Sequence, residues 1–306
     1  MSSPSSPSPP HDIPVALAPW TLHASEIYTI PFYTSSSRTD LLPSFVQDKG
    51  ESEALTEHFK GGLGMVQVLR YTSSPVGAYD EMLIAPGFFG VPEAASDRVG
   101  KDGEGRKKVK ERMNARITRI FVSTKESVWN GRRNWNIPKH LATFRFTPVP
   151  GSQGGMKIQV LPTQGSASPK SQEPFFQATF TPIAYVPALL MSTAWAKYLS
   201  MDLTLVQPPL KQIQDAGDGE VDGIGIGTEK WCQIMPFEKG QCKVGWWDMD
   251  SGERKTNVSG DGDGIGDVAE EDGYSKERFW WPGWGRWRFG AKMVDATVLF
   301  EEGKKW

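Results

Sequence analysis

The stretch Asn130–Phe146 reads N-G-R-R-N-W-N-I-P-K-H-L-A-T-F-R-F, and its reading decides the fold. The Gly131-Arg132 pair reads as a turn that leads into the Ile137-Pro138 dipeptide. Proline biases Ile137 toward an extended backbone, so the chain runs straight into Lys139. Apolar and polar positions then alternate. His140, Ala142, Phe144 and Phe146 fall on one face of a strand, and Lys139, Leu141, Thr143 and Arg145 fall on the other. A lysine at the root of such a strand, behind a stiff approach, reads either as a surface lysine at a strand start or as a positioned amine.

Outward from this stretch the pattern is strand after strand. Just upstream, Ile117–Val122 reads as a strand and Thr124 is placed to cap a short helix running to about Gly131. Gly64–Tyr71 is rich in β-branched and apolar residues. Ser73–Gly77 carries turn residues, and Glu81–Phe89 reads as the return strand of a hairpin. That places Glu81 at a strand start beside a turn, where functional groups concentrate. A first strand is expected over Glu26–Phe32, and one or two short helices in 34–62. Further strands are expected at Met156–Leu161, Phe175–Thr181, Leu203–Val206 and Trp287–Phe300, with Ser192 capping a helix over Thr193–Leu199. Trp231–Phe237 and Lys243–Trp247 read as a hairpin closed at Lys239-Gly240. Strand–helix–strand alternation is absent from this reading. It predicts a mainly β, β-rich α+β domain whose antiparallel sheet closes as a barrel or sandwich, with few short helices.

Composition narrows the partners. The chain has 306 residues, and its 38% hydrophobic content is low because apolar residues are scarce in the loops, so a sizeable core remains possible. A formal net charge of -2 offers no field for nucleic acid or an anionic membrane. Two cysteines, Cys232 and Cys242, are too few for a disulfide framework and read as buried thiols. No apolar run approaches the ~20 residues of a membrane span. The Ser/Pro-rich start lacks a basic n-region and an apolar core, so a cytoplasmic location is expected. Asn257-Val258-Ser259 has the glycosylation spacing, which without an export signal carries no weight.

A disordered tail is expected over 1–13 and one domain over 14–306, with flexible inserts at about 94–113, 150–172, 215–228 and 251–275. Asp261–Gly266 begins like a calcium loop, but Ile265 sits where an oxygen ligand is needed. Gly223–Gly227 lacks the dinucleotide spacing. The four histidines are scattered and no C-x-x-C pair occurs, so no metal and no cofactor is expected. Phe279–Phe289 holds four tryptophans and reads as core and rim packing, or as an aromatic wall for a bulky flat substrate.

The segment from Gly131 to Lys139, G-R-x-x-x-x-x-P-K ahead of a strand, resembles the signature of the acetoacetate decarboxylase family. Ser74–Glu81, S-P-V-G-A-Y-D-E, is similar to that family's Gly-x-Tyr-x-Glu segment. The resemblance implies a curved antiparallel sheet forming a cone or barrel, with Lys139 inside as a Schiff-base nucleophile. Glu81 would be a second catalytic residue, and Arg132, Gln67 and Tyr79 would bind substrate or support the site. It implies a cofactor-free lyase or decarboxylase acting on a small-molecule keto acid or related carbonyl compound, with a homo-oligomer possible. The sequence departs from the family at His140, where its decarboxylases carry a second lysine, and at Gln67, where a second pocket glutamate falls. With those departures the expected substrate is larger than acetoacetate, and the alternative is a catalytically silent binding protein on the same fold.

Overall fold

The computed structural model describes residues 13–37, 55–91, 99–101, 107–109, 112–163, 174–199, 202–213, 224–249 and 287–306. In chain order the strands are β1 (Trp20–Thr34), β2 (Phe59–Ser73), β3 (Tyr79–Ala85), β4 (Phe88–Val91), β5 (Val99–Lys101), β6 (Lys107–Val109), β7 (Arg112–Ala115) and β8 (Arg119–Val122). Helix α1 (Lys125–Trp135) follows, then β9 (Lys139–Leu141), β10 (Thr143–Pro148), β11 (Met156–Leu161), β12 (Phe176–Pro182) and β13 (Leu189–Ser192). After a 3-10 helix (Thr193–Leu199) come β14 (Leu205–Gln207), β15 (Cys232–Ile234), β16 (Phe237–Asp248), β17 (Trp287–Phe300) and β18 (Lys304–Lys305).

The β-rich reading holds: all these strands but β5 and β6 belong to one 16-stranded sheet. Its spine is β16–β17–β1–β2–β3, every pair antiparallel. The β2–β3 hairpin has the expected turn, where Gly77 N–H donates to the Ser74 carbonyl at 3.1 Å. Two expectations about the sheet do not hold. It is mixed rather than antiparallel, because β8 pairs β9 in parallel and β14 pairs β7 in parallel. A parallel neighbour needs a crossover, and α1 supplies it, so β8–α1–β9 is the strand–helix–strand unit that the short strands hid in the sequence. Nor does hydrogen bonding close a barrel: the sheet is branched, its main path ending at β10 and β18 and its side branches at β9 and β13.

Alternation along the strands builds two cores, one on each face. On β3, Tyr79, Leu83 and Ala85 join the first with Glu81 between them in phase, while Met82 and Ile84 join the second. Helix α1 covers the first face through Val128, Trp129 and Trp135. The expected hairpin at Lys239-Gly240 is absent. β16 runs straight through it and β15 pairs β14 and β18 instead. Gly240 is a close-approach residue, since a Cβ there would lie 2.7 Å from Met293 Cγ. The segment holding Ile224 and Ile226, expected to be part of a flexible insert, packs both side chains into the first core. Cys232 and Cys242 are free, buried thiols. The calcium-like loop, the Asn257 sequon, Leu41–Val46 and Trp280, Trp281 and Trp284 lie outside the described residues.

Candidate functional site

Helix α1 delivers the site. Its residues Ser127, Gly131 and Trp135 recur every fourth position and so form one face, and all are buried. Thr124 occupies the N-cap position without a side-chain capping bond, and the helix runs to Trp135, past the expected stop. Gly131-Arg132 is therefore helical rather than a turn. The reversal comes at Asn136, in the left-handed region at φ 54 and ψ 33, whose N–H donates to the Arg132 carbonyl. Pro138 then sends the chain into β9. The backbone places Lys139 opposite Ile120 and His140 opposite Phe121, on opposite faces of the sheet.

Lys139 lies back across the helix at Gly131. A Cβ at that glycine would come within 2.6 Å of Lys139 Cδ and 2.7 Å of Cε. Glycine is required there by the lysine stem, not by backbone conformation. The ammonium is 3% exposed as a residue and sits in the first core. Nζ donates to Glu81 Oε2 at 2.7 Å and to Ser127 Oγ at 3.0 Å, and stands 5.2 Å from the Tyr79 ring centroid. Glu81 is equally buried, at 2%. Burial first and the neighbouring Glu81 second push the Tyr71 and Tyr79 phenols well above their ordinary range, so both remain protonated hydroxyls at neutral pH.

Lys139 lines a cavity of about 10 Å³, about the room of a single water. Its walls are apolar, chiefly Trp20, Trp135, Ile117, Ile137 and Phe300, with Lys139 and Glu81 as its charged groups. Trp135 anchors the wall: it packs edge-on against Trp20 at 5.0 Å between centroids, and its Nε1 donates to the Glu301 carbonyl at 2.9 Å. The Phe289 ring packs on Trp246 at the outer surface instead of lining this cavity.

The structure thus brings Lys139, Glu81 and Tyr79 together and holds Arg132 and Gln67 apart from the cavity. Arg132 is wholly buried, and its Nε and Nη2 donate to the carbonyls of Ile226 and Lys211, both at 2.9 Å. It braces the segment behind the helix. Gln67 Nε2 donates to Thr29 Oγ1 and to Glu238 Oε2, each at 3.3 Å. Glu238 is a group the sequence did not flag. It lies on β16, more than 150 residues from Gln67 and Glu81. Burial, opposed by the Gln67 bond and reinforced by Glu81, raises its carboxyl to about 7. Ser127 was also missed, although its four-residue spacing from Gly131 and Trp135 was legible. Among the described residues no group of three or more His, Cys, Asp and Glu could hold a metal ion, and no helix is long and apolar enough to cross a membrane.

No protein-family model matches the chain. A curated relative, the protein NEOXANTHIN-DEFICIENT 1 of Oryza sativa subsp. japonica, is 23% identical over 129 residues, which are 42% of this chain and 34% of that protein. The match thus spans about a third of the relative's length. Among solved structures the chain is similar to acetoacetate decarboxylase from Legionella pneumophila subsp. pneumophila str. Philadelphia 1, at 13% identity and a TM-score of 0.49, covering 99% of this chain and 93% of that one. It is also similar to the enduracididine biosynthesis enzyme MppR complexed with pyruvate, at 13% identity and a TM-score of 0.44, covering 96% and 93%.

Proposed function

We propose that this chain is a Schiff-base-forming lyase in which Lys139 attacks a small carbonyl compound, keto acids included. One observation carries the reading: a lysine amine buried in an apolar core, held between Glu81 and Ser127, on a residue that lines a small cavity. Only a free amine attacks a carbonyl carbon, and Glu81 at 2.7 Å is placed to take the proton that Nζ must release. Attack forms the C–N bond and opens the carbonyl. The same proton, returned by Glu81, lets the hydroxyl leave as water. The resulting protonated imine then accepts the electron pair of a breaking C–C bond. The cavity admits one water, so the substrate is small or the Trp20 and Phe300 walls move apart to receive it. Arg132 is engaged elsewhere, so among the described residues Lys139 is the cation that lines the cavity for a substrate carboxylate.

The test is reduction with borohydride in the presence of pyruvate, acetoacetate and small aldehydes. The expected result is a stable mass adduct on the Lys139 peptide, lost in Lys139→Met. A panel that leaves Lys139 unmodified in folded protein overturns the reading.

The water-sized cavity and the short ion pair favour a second reading, a silent binding protein in which Lys139–Glu81 is structural. It predicts unchanged ligand affinity in a Lys139→Met, Glu81→Leu double variant. Removing one partner alone is expected to cost about 3–5 kcal/mol, and removing both to recover most of that.

A further inference from the structure

Six buried side chains among the described residues can carry positive charge, and of these Lys139 alone lines the cavity. The other five are placed elsewhere. Arg116 Nη1 donates to the carbonyls of Leu55 and Glu57, both at 3.2 Å. Arg132 braces the segment behind α1. Lys292 Nζ is held by Glu26 Oε1 at 2.6 Å. Arg119 precedes the cavity residue Ile120 in β8 and so takes the other face, where its guanidinium lies 5.2 Å from the Phe121 ring centroid. His140 stands opposite Phe121 and faces away from Lys139.

Lys139 is answered by one carboxylate, Glu81, at 2.7 Å. The rest of the cavity wall is apolar apart from Tyr79, whose phenol stays protonated and neutral. The charges at this site balance, and imine formation keeps them balanced. Ammonium and carboxylate become iminium and carboxylate, and one water is released. An uncharged substrate therefore adds no net charge to the interior. A substrate carboxylate adds one negative charge against apolar walls, where the one ammonium among the described residues is already engaged by Glu81. A buried charge without a partner is costly. We infer that the Lys139 site takes uncharged carbonyl compounds, ketones and aldehydes that bear no ionised carboxylate, and discriminates against keto acids. The inference rests on the Schiff-base reading and narrows its substrate class.

The class of substrate fixes the kind of bond broken. With no carboxylate to lose as carbon dioxide, the C–C bond that breaks releases an uncharged carbonyl fragment from a β-hydroxy ketone or aldehyde. Glu81 takes the proton of the β-hydroxyl, and that O–H pair forms the new C=O. The C–C pair moves into the enamine as the C=N pair returns to nitrogen. Glu81 then gives the same proton to the enamine carbon, and one water releases the second fragment from Lys139.

The test compares substrates that differ in charge and hardly in shape: pyruvamide with pyruvate, and acetoacetamide with acetoacetate. Each is incubated with the full chain and cyanoborohydride at neutral pH, and adduct formation on the Lys139 peptide is followed by mass spectrometry. Dividing each rate by that of Nα-acetyl-lysine under the same conditions removes the intrinsic reactivity of the carbonyl. Each amide should then label Lys139 on the order of a hundredfold faster than its acid. Glu81→Gln removes the site's own carboxylate, so a substrate carboxylate can answer the Lys139 ammonium in its place. In that variant the preference for the amide should shrink by about tenfold or more. Acids that label wild type as fast as their amides overturn the inference and leave the Schiff-base reading standing, as does a preference unchanged in folded Glu81→Gln. No adduct from any of the four compounds on folded wild type overturns both. The wild-type comparison decides alone if Glu81→Gln does not fold.

Discussion

At the scale of single residues, the site depends on one missing side chain. Gly131 lies under the Lys139 stem, where a Cβ would come 2.6–2.7 Å from two methylene carbons. Alanine is the better helix former by about 1 kcal/mol, so Gly131→Ala should not damage α1 itself. It should instead push Lys139 off Glu81. The expected outcome is a folded protein with a melting temperature within a few degrees of wild type and at least a tenfold slower formation of the borohydride-trapped adduct. Unchanged trapping would show that the lysine stem has another place to lie. The sequence displayed the Gly131–Lys139 spacing but not its meaning. Eight positions separate the two in the chain, and only a helix followed by a reversal folds the lysine back onto the glycine.

At the scale of elements, the helix end aims the lysine. Asn136 takes the left-handed conformation, which costs most L-residues roughly 1–2 kcal/mol, and asparagine tolerates it better than most. Its Nδ2 also donates to the carbonyls of Pro208 at 3.0 Å and Lys230 at 2.5 Å, tying the helix end to the chain just after β14 and just before β15. Asn136→Gly keeps the conformation and loses the bonds; Asn136→Ala loses both. Urea unfolding should therefore rank wild type above Asn136→Gly and Asn136→Gly above Asn136→Ala, the last by about 2–3 kcal/mol. Equal stability of the two variants would remove the conformational argument. A second tie joins the start of the described chain to the same helix: the Asn130 side chain accepts from Ala16 N–H at 2.8 Å and donates to the Pro14 carbonyl at 3.0 Å. Asn134 adds a bond to the Ala16 carbonyl at 2.8 Å. This N-G-R-R-N-W-N segment looked like a turn in the sequence because asparagine, glycine and arginine are poor evidence for a helix. Here the asparagine side chains bond backbone of neighbouring segments, and Asn130 also bonds the Glu126 carbonyl of its own helix at 3.0 Å.

At the scale of the whole molecule, the half-buried Glu238 makes stability depend on pH. Its pKa rises from an ordinary 4.5 to about 7 on folding, so the folded protein binds the proton more tightly than the unfolded chain. The stabilisation is full below 4.5 and is lost as pH rises to and through about 7. The loss is on the order of 3 kcal/mol. Urea unfolding at pH 5 and pH 8 should show a larger difference for wild type than for Glu238→Gln, and equal differences would sink the idea. The β-rich class, the β2–β3 hairpin and the lysine behind Ile137-Pro138 followed from the sequence alone, because period-two alternation, turn residues and proline act over a few neighbouring positions. The same local signals put Glu81 beside a turn and His140 on the face away from Lys139. What only the tertiary structure decided was everything that depends on distant strands meeting. The crossover that makes β9 parallel to β8 is one case, and the aromatic wall drawn from Trp20, Trp135 and Phe300 is another. The third is Glu238, brought from β16 to Gln67 on β2 by a sheet whose pairings no short window of residues encodes.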